Sequence, residues 1–351
     1  MGFLNFREFA FGFSLWVIVA LVIAGSRWTR LYNSPALTSD EVVHIYLSSS
    51  LGPEGLADTL LTKGLLKRKK EFDWAVGTLH WKNFKAGHYQ FEPESSYKEL
   101  FSKLGRGLQD PIRLTVLPGY SQSQITQRIA QSFRFDSLSL ANTLKDSTFL
   151  AKQGIDSTEI IGRIHPNTYS FYWTASADEV ITRLLNTFQQ SIAEKYKERF
   201  KELDKSVNEI VTLASIIEWE AGNDSEKDTI SGLYWNRLET GMRLQADPTI
   251  NFAVGERRRL TFKDYKIDHP YNTYLHSGLP PGPITNPSET SIKAALFPAE
   301  HEYLYMVASP EGTHNFSRTY QEHQRKSAEW REWIQKQYRI KRQRERQHDQ
   351  N

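Results

Sequence analysis

The chain has no cysteine among its 351 residues. That removes disulfides, thiolate metal sites, cysteine nucleophiles and lipidation on cysteine together. It does not fix a compartment, but it suits an oxidising one. An excess of charge of one sign is also missing: 44 Lys and Arg stand against 41 Asp and Glu, a net of +3. A nucleic-acid binder concentrates charge on a strongly basic domain, and a disordered, solvated chain has few apolar residues. With 39% hydrophobic and 13% aromatic residues, both classes are excluded, and nucleic acid is not expected as a partner. There is no GxxxxGK[ST] phosphate loop, no HExxH helix and no GxSxG elbow. The ten histidines are scattered without metal-ligand spacing, so no metal is expected. At about 150 residues per domain, the length suggests two folded units.

What is present begins with a long apolar run. Phe9 to Gly25 carries no charge and a single clearly polar side chain, Ser14. As a helix it spans about 26 Å, near the lower limit for a bilayer core. Arg7 and Glu8 bound it on one side, Arg27 and Arg30 on the other, with Trp28 at the expected interface. A cleaved signal peptide is the competing reading. The run exceeds the usual apolar length of one, and no small-x-small cleavage site follows, so a retained anchor is expected. Counting Arg7 against Arg27 and Arg30 leaves the orientation open.

After a linker with turn-forming residues (Leu31 to Asp40), Val42 to Leu47 reads as a strand. Gly55 to Lys70 reads as one amphipathic helix, its cations Lys67, Arg68, Lys69 and Lys70 suiting a C-terminus. A strand entered by a turn (Lys85 to Phe91), a helix from Tyr97 to Leu104 and a strand from Ile112 to Leu117 complete a small α+β module. Helical patterning dominates from Ser121 to Ala221, and Tyr303 to Ala308 reads as a strand. The expected class is α+β, with the segments 1–8 ahead of the span, 9–25 as transmembrane anchor, 26–40 as linker, 41–117 as the small module, 118–326 as the larger mixed domain and 327–351 as a basic tail. From Lys336 onward that tail carries six basic side chains against Glu345 and Asp349.

The most informative stretch is Ile210 to Gly222, IVTLASIIEWEAG. Its first eight residues hold only Thr212 and Ser215 as polar side chains, which predicts a helix buried on nearly every side. Glu218 arrives at the end of it. A carboxyl on a buried apolar helix should have its pKa raised by desolvation, as a general acid needs. Glu220 points about 200° away from Glu218, so the two do not form a facing glycosidase pair. A salt-bridged helix-end carboxylate is the competing reading for Glu218. Further on, Asn236, Arg237, Gln245, Asp247, Tyr271, Asn272 and Tyr274 supply the hydrogen-bonding groups and flat aromatic faces of a sugar cleft. Each singly is an ordinary loop residue. His314 is a candidate base or ligand, with a packing histidine as the alternative.

Together these blocks resemble the membrane-anchored endolytic murein transglycosylases, the YceG-like or MltG family. The matching pieces are Leu213-Ala214-Ser215-Ile216-Ile217-Glu218-Trp219-Glu220, Asn236-Arg237-Leu238, Gly241 to Thr249, Tyr271 to Tyr274, Gly278 to Ile284, Ala294-Ala295 with Pro298, and His314-Asn315-Phe316. Upstream, Gly87-His88-Tyr89 is similar to the family's small LysM-like subdomain, and Pro166-Asn167-Thr168-Tyr169 to its Pro-x-Thr-Tyr element. The chain departs from the pattern at Trp219 and Ala246, where polar residues are usual. The resemblance implies a cofactor-free lyase that cuts within peptidoglycan glycan strands. It places the catalytic acid on Glu218, with Glu220, Asn236, Arg237, Gln245, Asp247, Tyr271, Asn272, Tyr274 and His314 as supporting or sugar-holding candidates. It also implies an inner-membrane anchor with the catalytic domain on the periplasmic side, and peptidoglycan synthases (penicillin-binding proteins) as partners. Two other readings stay open: a hydrolase pairing Glu218 with Asp247, and a non-catalytic peptidoglycan-binding scaffold.

Overall fold

The computed structural model describes residues 6–66 and 68–348; Met1 to Asn5, Lys67 and the last three residues of the expected tail lie outside them. The chain divides into two units. The first comprises residues 1–113 with two short later pieces, 132–134 and 170–175. Its elements are α1 (Phe6–Tyr32), β1 (Val43–Leu47), α2 (Pro53–Thr62), α3 (Lys69–Leu79), β2 (Gly87–Phe91) and α4 (Tyr97–Arg106). α1 is long and apolar enough to cross a membrane, with its apolar residues exposed, and it fits a single-pass anchor. It runs seven residues past the expected end of the span. Its last turn and the connection after it are built into the first core, where Leu31, Ala36 and Leu37 are buried.

β1 pairs antiparallel with β2, Val43 opposite Phe91 and Ile45 opposite Tyr89. Strict alternation on β1 turns Val43, Ile45 and Leu47 inward and His44 and Tyr46 outward. The amphipathic helix expected over Gly55 to Lys70 is two helices. Gly64 adopts a left-handed conformation (φ 69°), open to glycine without steric penalty, and it ends the first just past Thr62. Lys69 and Lys70 therefore open α3, Lys69 pairing with Asp73 at 3.1 Å, instead of capping a C-terminus. α4 starts on Ser96, whose hydroxyl accepts from the Glu99 N–H, and stops at Gly107, again left-handed.

The larger unit contains α6 to α15, most of α5 and parts of two strands that run through the division. In chain order these are β3 (Ile112–Val116), α5 (Gln122–Ser132), α6 (Ser137–Lys145), α7 (Ser147–Lys152), α8 (Ile160–Arg163), β4 (Asn167–Phe171), α9 (Ala177–Phe188) and α10 (Lys197–Glu202). Then follow α11 (Val207–Glu220), α12 (Lys227–Glu239), α13 (Asp247–Val254), α14 (Glu289–Leu296), β5 (Tyr305–Ala308), β6 (His314–Ser317) and α15 (Tyr320–His348). The mixed α+β class expected from the sequence is the one observed, with small sheets between many helices.

α11 is its axis. A capping box joins Ser206 and Glu209 at the N-terminus, and Ile210 to Ile217 are all buried. Ser215, one of the two polar residues on that apolar face, accepts from the Ile284 N–H at 3.0 Å and so fixes the chain after the proline-rich turn. Gly162 lets α8 approach closely: a Cβ there would stand 2.5 Å from Val211 of α11. Asn286 ties two distant segments, its side chain donating to the Leu117 carbonyl and accepting from the Tyr120 N–H.

Candidate active site

Everything at the site depends on how α11 ends. The helix continues through Glu220, so Glu218 and Glu220 leave it in different directions and meet different surroundings.

Glu218 faces inward, its side chain 11% exposed. One oxygen, Oε2, accepts from the Ser288 N–H (3.0 Å), the Ser288 hydroxyl (2.5 Å) and the Ser291 hydroxyl (2.6 Å). The buried Lys227 ammonium stands 3.4 Å away and also pairs with Asp224 at 2.7 Å. Ser288 is the N-cap of α14, so the carboxylate also sits at a helix N-terminus, which favours negative charge. Burial alone would raise its pKa, but the serine hydroxyls, the backbone N–H and Lys227 outweigh it and hold the carboxyl below its usual range. This corrects the sequence expectation. Desolvation does act on Glu218, but its donors win, and the group is kept ionised.

Glu220 is the reverse case. Its carboxyl makes no hydrogen bond or ion pair among the described residues and lines a cavity of about 370 Å³ with Trp219, Asp247, Asn251 and Arg258. Burial, and then the negative charge of Asp247, push its pKa up to about 7 against the pull of Arg237 and Arg257. A carboxyl still carrying its proton near neutrality, free of partners and open to a cleft, is equipped to donate that proton.

Asp247 begins α13 across the cavity. Its carboxylate accepts from the Tyr274 hydroxyl at 2.7 Å and the Tyr265 hydroxyl at 3.2 Å. Burial and that carboxylate raise both phenols, Tyr265 to about 12, so both remain donors. Trp219, between the glutamates, donates its indole N–H to the Gly119 carbonyl (2.9 Å), and the Arg257 guanidinium lies 5.4 Å over its ring.

Of the expected site residues, Glu220, Asp247 and Tyr274 come together here. Glu218 lies behind them in its own cage. Asn236 donates to the carbonyls of His301 and Tyr303. Arg237 is buried and donates to those of Leu304 and Leu244, both at 2.6 Å. Asn272, fully buried, holds the Tyr265 and Ile267 carbonyls. These three side chains are spent on backbone and shape the loops. Tyr271 packs against Phe252. Gln245 is exposed on a left-handed residue (φ 48°). His314 pairs with Glu226 at 3.0 Å through its ring and also donates its backbone N–H to that carboxylate.

Sequence reasoning passed over Ser288, Ser291 and Lys227 around Glu218, and Tyr265, Asn251 and Arg258 at the cleft. Ser288 had a local signal, since Asn-Pro-Ser ahead of an alanine-rich helix is an N-cap pattern. A lone lysine at 227 or tyrosine at 265 had none.

An unpartnered carboxyl thus lines a polar cleft on a mixed α+β scaffold. The YceG-like family model matches residues 45–329, and the chain belongs to that family. It is 32% identical over 301 residues to the endolytic murein transglycosylase of Bacillus subtilis, an alignment covering 81% of this chain and 84% of that protein. Against the endolytic murein transglycosylase of Streptococcus pneumoniae it is 27% identical over 359 residues, covering 91% of this chain and 65% of the relative. A crystal structure of a YceG-like protein from Listeria monocytogenes matches with a TM-score of 0.59 at 31% identity, over 82% of this chain and 99% of that one.

Proposed function

We propose that the protein is an endolytic lytic transglycosylase of peptidoglycan with Glu220, not Glu218, as its general acid. The observation that carries the choice is the Glu220 carboxyl lining the cleft without a hydrogen-bond partner among the described residues, set against a Glu218 whose Oε2 already accepts from Ser288 and Ser291. Glu220 gives its proton to the glycosidic oxygen between N-acetylmuramic acid and N-acetylglucosamine, and the C1–O bond breaks. The carboxylate left behind takes the proton of the muramic C6 hydroxyl, whose oxygen closes on C1 as a 1,6-anhydro ring. Glu220 ends protonated again, and no water is consumed. Asp247, held by its two phenols, sets its carboxylate near the oxocarbenium-like centre and raises the pKa of Glu220.

The substrate lies outside the cytoplasmic membrane, which supports a topology with residues 1–8 inside, α1 across the inner membrane and the catalytic unit on the periplasmic side. Cutting within new strands would end their elongation, so the synthases that make them are the expected neighbours. Mass spectrometry of purified strands incubated with the protein tests the reading: anhydro-muramyl ends are expected from the wild type and none from Glu220→Gln. Cleavage retained in Glu220→Gln removes the acid from that residue. Because Asp247 shares the cavity with Glu220, reducing ends in place of anhydro ends would mean hydrolysis by this pair.

A further inference from the structure

Beyond Asp247 the cleft continues into a second cavity of about 540 Å³, which shares Asp247, Asn251 and Arg258 with the first. Its far wall is the loop from Arg259 to Phe262. Phe262 is 92% exposed, the most exposed large apolar side chain among the described residues, on a loop that is otherwise firmly held. The brace is Asp264, a buried carboxylate that accepts from both Arg258 guanidinium nitrogens at 2.9 Å and from the Thr261 N–H and hydroxyl at 2.6 and 2.8 Å. Arg258 is thereby spent on Asp264, with Glu256 also near at 3.7 Å. The Asp247 charge is covered by its two phenols. Arg259 is different: its side chain makes no hydrogen bond or ion pair among the described residues. A braced loop therefore presents an uncommitted guanidinium and a bare aromatic face to the same cavity, next to the one that holds the proposed acid. A neutral N-acetylated sugar could pack on the aromatic face but would leave the guanidinium charge unanswered. A ligand with a carboxylate beside small apolar groups answers both.

We propose that the Arg259–Phe262 loop is a subsite for the carboxylate-bearing peptide carried by muramic acid, so that peptide-bearing strands are cut in preference to bare ones. This rests on the glycan-cleaving reading above. The test uses the full-length protein and matched glycan strands with their peptides present or removed by an amidase, comparing kcat/KM for the two. The wild type is expected to favour the peptide-bearing strand, and Arg259→Ala to lower that preference about tenfold, the equivalent of one charge-assisted contact. Arg259→Glu should lower it further and Phe262→Ala by a smaller factor. Added salt should erode the preference of the wild type but not that of Arg259→Ala. Equal rates on both strands in the wild type, or an unchanged ratio in Arg259→Ala, overturn the subsite. So does a parallel fall on both strands, which would mark a sugar subsite. A wild type that cuts neither strand overturns the glycan-cleaving reading itself, whereas cutting without preference removes the subsite alone.

Discussion

The two sides of the last turn of α11 carry the same functional group and treat it in opposite ways. On one side Glu218 meets three serine donors and an ammonium and is fixed as an anion. On the other, two residues later, Glu220 meets burial and a like charge without a donor, and its pKa is pushed up to about 7. Burial acts on both. What differs is the supply of donors, and that supply comes from a helix start some seventy residues downstream. A buried carboxyl is therefore not in itself an acid; it becomes one where the fold withholds partners.

That contrast can be broken from either side. The largest effect is expected at Glu220. Replacing it with Gln should reduce strand cleavage by a factor of about 10³, within the range for loss of a general acid, while the melting temperature stays near that of the wild type. Next is Glu218→Ala, which takes one of the two carboxylates from the buried Lys227 and leaves three serine donors without their acceptor. A loss of about 3 kcal/mol is expected in denaturant titration, with residual activity in whatever fraction stays folded.

The pH dependences should then run in opposite senses. A carboxyl with a lowered pKa supports the fold above the ordinary carboxylate range, and that support is lost as pH falls through the lowered value; this is Glu218. A carboxyl with a raised pKa supports it below the ordinary range, and that support is lost as pH rises through about 7; this is Glu220. Activity should fall across the same alkaline limb as the acid deprotonates. Asp247→Asn removes the like charge and should move that limb to lower pH, read from a kcat/KM profile; an unmoved limb would show that burial alone sets the acid. The smallest effect is expected at Ser291→Ala, which deletes one of the donors to Glu218. About 1 kcal/mol of stability should go, with kcat unchanged.

Much of this was legible in the sequence. The apolar run from Ile210 to Ile217 announced a buried helix ending in a carboxyl, and the 200° between the glutamates announced two separate surroundings. Which surroundings belonged to which glutamate was not legible. Helical geometry gives the angle between two side chains, not the identity of what packs on each face, and Ser288 and Ser291 arrive from far along the chain. Asn236, Arg237 and Asn272 do satisfy hydrogen bonds, but those of backbone carbonyls inside the protein. The break after Thr62 shows the same limit on a smaller scale, since leucine spacing ran straight through Gly64 while its left-handed backbone did not.

Leu31 lies in the last turn of α1 and is already part of the first core, followed there by Ala36 and Leu37. A hydrocarbon layer of about 30 Å takes about twenty helical residues, so a span entered at Phe9 is used up near Trp28. Less than one helical turn then separates lipid from packed protein. With α1 in the bilayer, the first unit has no leash. A unit so joined would be held close to the membrane surface, and inserting a flexible spacer between Trp28 and Leu31 would change its reach along with the core that Leu31 helps to close.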